Sequence, residues 1–214
     1  MPEKKLICFD VDGTLVEDKT SFITLIKGLG CPLGEIMAIY RNAMAGKVSF
    51  EEAQARVSEI FRTSELANRE YIVQIFSQIA LKPGAVELIG WLKKKGYEVW
   101  LVSGAIDTHV ADVAGRIGAS GYCAHSSLEF DENGRFRRIN YSSNQNPWKA
   151  KVVAGLAQAR QIHPADVYFV GDGENDIDVF KITKGIAIAP YDPHLENIAW
   201  KKLMSLSEIK DIIE

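Results

Sequence analysis

Leu6-Ile7-Cys8-Phe9-Asp10-Val11-Asp12-Gly13-Thr14 decides how this chain is read. Its apolar run is short and is stopped by two acids and a glycine, so it reads as a buried strand ending in a loop. Two later segments repeat the design. Tyr97-Glu98-Val99-Trp100-Leu101-Val102 is strand-like and ends in Ser103-Gly104, and the strand expected over 166–170 ends in Gly171-Asp172-Gly173. Helical patterns fall between them: 85–95, closed by Gly96 as a C′ glycine, then 107–117 and 148–160. A hairpin is expected over 128–141, turning at Asp131-Glu132-Asn133-Gly134. A helix starts over 176–181, and a last short strand covers 185–189.

Strands alternating with helices predict an α/β fold with a mostly parallel sheet covered on both faces. Ligands in such sheets bind beyond the carboxyl ends of the strands. Asp10, Asp12, Ser103 and Asp172, far apart in sequence, are therefore expected in one crevice. Between the first strand and the rest lies a block of different character. Phe22, Leu25, Ile26 and Leu29, then Ile36, Ile39 and Tyr40, then Val57, Ile60 and Phe61, then Ile72, Ile75, Phe76 and Ile79 recur at helical spacing. Gly28, Gly30, Pro32 and Gly34 separate the first two helices, Ser49 with Glu52 resembles a capping box, and Lys82-Pro83-Gly84 ends the block. It is expected to form a small helical bundle that caps the site.

Composition narrows the function. With 214 residues, 47% of them hydrophobic, the chain is long enough for one sizeable core or a core with an insertion. A net charge of −3 leaves no basic surplus for nucleic acid. Cys8, Cys31 and Cys123 are odd in number and form no C-x-x-C pair, which argues against a disulfide framework or structural zinc. The apolar stretch at the N-terminus is too short for a signal peptide or a membrane span, so the expectation is a soluble cytoplasmic protein without membrane partners. His109, His125, His163 and His194 lack metal-ligand spacing and read as satisfied or surface residues; Trp91, Trp100 and Trp148 read as packing residues.

The acids carry the chemistry. Asp10 and Asp12 stand at i and i+2; a turn would use the same residue types. A calcium loop does not fit, because the glycine follows the second acid directly and no glutamate fills the twelfth position. One carboxylate can instead attack phosphorus while the other serves as general acid and base. Gly171-Asp172-Gly173-Glu174-Asn175-Asp176 fails as a G-x-G-x-x-G nucleotide loop because Asp176 takes the last position. Acids at a strand end suit a hard cation such as Mg2+. Ser103-Gly104 can hold phosphate oxygens or act as a helix N-cap. Lys149 is a candidate phosphate-binding ammonium, with Lys151 as its competitor.

In this order, Asp10-Val11-Asp12-Gly13-Thr14, Ser103-Gly104, Lys149 and Gly171-Asp172-Gly173-Glu174-Asn175-Asp176 resemble the motifs of the haloacid dehalogenase (HAD) superfamily phosphatases, specifically the phosphoserine-phosphatase-like group with a helical C1-type cap. The resemblance spans nearly the whole chain. It implies a Rossmann-like core over 1–15 and 82–214 with the cap inserted over 16–81. It further implies Mg2+-dependent hydrolysis of a small phosphorylated metabolite through an aspartyl-phosphate. Asp10 would be nucleophile and metal ligand. Asp12 would be general acid and base, with its backbone carbonyl on the metal, and Asp172 would be a further ligand. Ser103, the Gly104 N–H and Lys149 would hold the phosphoryl oxygens, Asp176 would orient Lys149 or metal waters, and Asn175 would line the site. The chain departs from the group in its cap. Lys19 stands where phosphoserine phosphatases carry a glutamate for the substrate ammonium, and Arg56 is the candidate for the substrate carboxylate. A lysine at that place puts phosphoserine in doubt as the substrate. A phosphotransferase or mutase of the same chemistry is the alternative enzyme, and a non-catalytic phospho-ligand module the alternative class.

Overall fold

The computed structural model describes residues 4–142 and 144–213. Seven strands form one sheet in the order β4-β3-β2-β1-β5-β6-β7. They are β1 (Lys5–Phe9), β2 (Tyr97–Ile106), β3 (Gly121–Phe130), β4 (Phe136–Asn140), β5 (Tyr168–Gly171), β6 (Lys184–Ile188) and β7 (Lys201–Leu203). All pairs are parallel except β3 with β4, the expected hairpin. β1 shows why both faces must be covered: Ile7 and Phe9 enter one buried apolar cluster while Leu6 and Cys8 enter another. Burial pushes the Cys8 thiol well above its ordinary pKa, as befits an inert core residue.

The chain leaves β1 for β2 on one side and later returns to β5 on the other. That reversal opens a crevice at the carboxyl end of β1, the usual binding place in open α/β sheets. Phe9 is level with Leu101 and Val170, and the Asp10 N–H donates to the Val170 carbonyl at 2.8 Å. The three polar strand ends therefore sit side by side.

Helices α1 (Ser21–Gly28), α2 (Leu33–Met44), α3 (Phe50–Arg62) and α4 (Arg69–Ser77) make up the block after β1. Ser49 caps α3, its hydroxyl accepting from the Glu52 N–H at 3.0 Å. α3 is tied to the hairpin: Gln54 Nε2 donates to the Tyr141 carbonyl at 2.5 Å and the Ile139 N–H donates to Ser58 Oγ at 3.2 Å. Apolar residues of these helices and of one sheet face share a single continuous cluster. The remaining helices, α5 (Ala85–Lys94), α6 (Asp107–Ile117), α7 (Gln145–Arg160) and α8 (Ile177–Phe180), cover the sheet.

Several boundaries differ from expectation. β2 runs past Ser103-Gly104 to Ile106, with a register shift between Ser103 and Ile106, so Ile106 and not Ser103 is the N-cap of α6. The hairpin's first strand begins at Gly121, and β7 carries too little apolar sequence to announce itself. Expectations touching residues 1–3, 143 and 214 lie outside the described residues. No described helix is long and apolar enough to cross a membrane.

Candidate active site

Asp10, the first residue after β1, is 4% exposed, and its Oδ1 accepts from the Val11 N–H at 2.7 Å. Lys149, in the first turns of α7, is fully buried and places Nζ 2.8 Å from Asp10 Oδ2 and 2.6 Å from Asp176 Oδ1. Asp176 Oδ2 accepts from the Asp172 and Gly173 N–H groups at 3.1 Å each. Burial works against the lysine's charge, but the two carboxylates outweigh it and hold its pKa above the ordinary range. A Cβ on Gly171 would lie 2.3 Å from Asp176 Oδ2, so glycine is required there.

Asp172, beyond β5, accepts from Thr14 Oγ1 at 2.7 Å. Gly13 makes this approach possible, with φ +75° and a would-be Cβ only 2.3 Å from Asp172 Oδ2. Burial first, then the Asp10 charge, raises the Asp172 carboxyl to about 6. Among the described residues, the carboxylates of Asp10, Asp172 and Asp176 have oxygens within 4.8 Å of one another. A set of hard oxygen donors whose negative charge Lys149 offsets only in part fits a divalent cation. Lys149 and two backbone N–H groups already engage Asp176, which leaves Asp10 and Asp172 as the better-placed pair.

Asp12 is engaged from three directions. Its Oδ2 accepts from the Ser21 N–H at 2.7 Å and Ser21 Oγ at 2.8 Å; its Oδ1 lies 3.0 Å from His109 Nε2. Thr20, the N-cap residue of α1, makes no side-chain cap bond, so Asp12 supplies the oxygen that the helix N-terminus needs. His109 is fully buried, beside the Phe76 ring at 5.1 Å. With Asp12 ionised, Nε2 carries the proton, and Nδ1 has no hydrogen-bond partner. The sequence reading missed this contact, because only the fold brings positions 12 and 109 together. It also missed Lys82, whose ammonium donates to the Gly13 carbonyl and lies near Asp172.

Asp10, Asp12 and Asp172 form the floor of a cavity of about 670 Å³, which Ser103, Gly104 and Asn175 also line; Lys149, Asp176 and His109 lie behind it. Ser103 is 1% exposed, and its Oγ accepts from the Ala105 N–H at 3.2 Å; Ser126 Oγ donates to the Gly104 carbonyl at 2.9 Å. Gln145 sits against Gly104 and accepts from Asn175 Nδ2 at 3.1 Å. Lys19 also lines the cavity. Arg56 does not: its side chain is 53% exposed and pairs with Glu52 at 2.5 Å along the outer face of α3.

The family model for haloacid dehalogenase-like hydrolases matches residues 4–181. The chain belongs to this family. Within it, the chain falls in the phosphoserine-phosphatase-like group. It is 35% identical over 178 residues to a phosphoserine phosphatase of Archaeoglobus fulgidus, covering 81% of this chain and 49% of the relative. A phosphoserine phosphatase of Methanocaldococcus jannaschii is 31% identical over 187 residues, covering 87% and 85%. The chain thus spans about half the length of the first relative and most of the second. Among solved structures, a phospho-aspartyl intermediate analogue of phosphoserine phosphatase superposes with a TM-score of 0.76 at 28% identity, covering 99% of this chain and 100% of that one. A substrate-bound phosphoserine phosphatase complex gives 0.76 at 27%, covering 100% of both. The HAD-like fold, a mostly parallel sheet with covering helices, is thus shared along the chain.

Proposed function

We propose that this HAD-like hydrolase is a magnesium-dependent phosphatase that cleaves a small phosphomonoester through an aspartyl-phosphate on Asp10. The observation that carries the reading is the Asp10 carboxylate on the cavity floor, 2.8 Å from the buried Lys149 ammonium, with Asp12 in the same cavity wall. In the first half-reaction an Asp10 oxygen forms a bond to phosphorus as the ester P–O bond breaks. Asp12, protonated, gives its proton to the departing alkoxide. In the second, the Asp12 carboxylate takes a proton from water, whose oxygen bonds to phosphorus. The acyl-phosphate P–O bond breaks, inorganic phosphate leaves, and Asp10 is regenerated. Lys149 and the Ser103-Gly104 segment hold the phosphoryl oxygens, Asp176 fixes Lys149, and Asn175 lines the site. Asp10, Asp172 and the Asp12 backbone carbonyl would hold Mg2+, which neutralises charge between phosphate and the acids when bound. Residues 16–81 act as the cap over a core of 1–15 and 82–214.

The relatives are named for phosphoserine. Two features support a different ester here: Lys19 at the cavity would repel a substrate ammonium, and Arg56 is paired with Glu52 away from it. Phosphate release from a panel of phosphomonoesters with magnesium tests the reading. Asp10→Asn is expected to lower turnover by about 10³-fold or more. Turnover that survives this substitution would sink it.

A further inference from the structure

Resting on that reading, we infer that the ester's alcohol portion is uncharged and largely apolar, of alkyl or aryl type. Met37, Tyr40 and Met44 follow at spacings of three and four, so they form one stripe of α2. All three line the cavity, and Ile36 and Ala43 bury the adjoining edge of the same face. Met37 and Tyr40 are only partly buried against the core, so this edge of α2 remains open to the cavity. Met44 is 55% exposed. Phe22 from α1, Ile139 and Tyr141 continue the same wall, with Tyr40 and Phe22 ring centroids 6.0 and 6.4 Å from that of Tyr141. Apolar side chains left open beside a catalytic floor form a surface for ligand carbon.

The charges agree. Apart from the acids of the floor and Glu174, the only charged residue lining this cavity among those described is Lys19. Among the described residues, no guanidinium lines the cavity to receive a carboxylate. Tyr141 is 9% exposed, and its buried hydroxyl has no hydrogen-bond partner.

Ethyl, butyl and hexyl phosphate share similar leaving groups and differ in buried carbon. With the full chain and magnesium, kcat/KM is expected to rise about fourfold per added methylene and to exceed that for L-phosphoserine by at least about tenfold at hexyl phosphate. Tyr40→Ala and Met44→Ser are expected to flatten the chain-length dependence. Calorimetric binding of ethyl- and hexylphosphonate, which cannot be hydrolysed, reads the same preference without turnover. A flat dependence in both series, or a preference for phosphoserine, overturns this inference and leaves the phosphatase reading standing. Absent phosphate release together with tighter hexylphosphonate binding overturns the phosphatase reading and keeps the apolar site.

Discussion

Asp12 and His109 are 97 positions apart, yet one hydrogen bond of 3.0 Å joins the cavity-lining carboxylate to the fully buried imidazole. A buried imidazole with a bare Nδ1 is a costly residue to keep, and its one polar contact is to Asp12, the carboxylate proposed to transfer the proton. His109 is therefore expected to act as a positioning residue. His109→Ala should lower kcat about tenfold, the worth of one such bond, with KM within about twofold. His109→Gln, which keeps an N–H, should restore part of it. Equal losses in both variants, or a change confined to KM or thermal stability, would mark a purely structural histidine. The acids were readable in the sequence because Asp10 and Asp12 follow β1 and Asp172 follows β5, each beside a glycine, with Asp176 four residues further on. His109 was not, because a single histidine in a helical pattern carries no sign of what its ring will meet. Arg56 shows the converse: its place in the chain suggested the cavity, and an i−4 glutamate holds it outside.

Between β2 and α7, Glu98 is gripped by Arg160, with Nε to Oε2 at 2.6 Å and a second guanidinium contact to Oε1. Trp100 Nε1 adds a bond of 2.7 Å, and the guanidinium lies 5.0 Å from the Trp100 ring centroid. The hydrogen bonds from Arg160 chiefly hold the Glu98 carboxyl below its usual range. A depressed folded-state pKa gives stability that is complete above the unfolded value of about 4.3 and is lost as pH falls through the folded one. The stability difference between wild type and Glu98→Gln in urea is thus expected to shrink from about pH 6 to about pH 3. A difference that stays constant or grows on acidification would refute the linkage. Elements with strong apolar periodicity were legible to within a few residues, α3, α5 and α6 above all. The end of β2 was not, since Ser103-Gly104 looks like a strand terminus while sheet pairing carries the backbone on to Ile106. β7, with two lysines in three residues, is a strand because β6 offers it an edge.

For the molecule as a whole, the acids at the sheet's switch point are a charge only partly balanced by Lys149, which a bound cation would relieve. Magnesium at about one hundred times its Kd should stabilise the metal-stripped protein by about 2.7 kcal/mol, or about 5–10 °C in Tm for a domain of this size. Asp172→Asn should lose most of that response. An equal shift in both proteins would place the ion elsewhere. The strand-helix alternation made the sheet legible, but the partnership between the helical block and the hairpin was not, because it depends on contacts such as Gln54 with Tyr141 that no local pattern encodes. The hold of Asp12 on the first turn of α1 has a practical consequence. Asp12→Asn, the natural choice for arresting the reaction and trapping a complex, also replaces a helix anchor: one carboxylate oxygen becomes an amide that must face either Ser21 or His109 with a donor. Such a trapped complex would report a first helix whose mooring had been altered along with the chemistry.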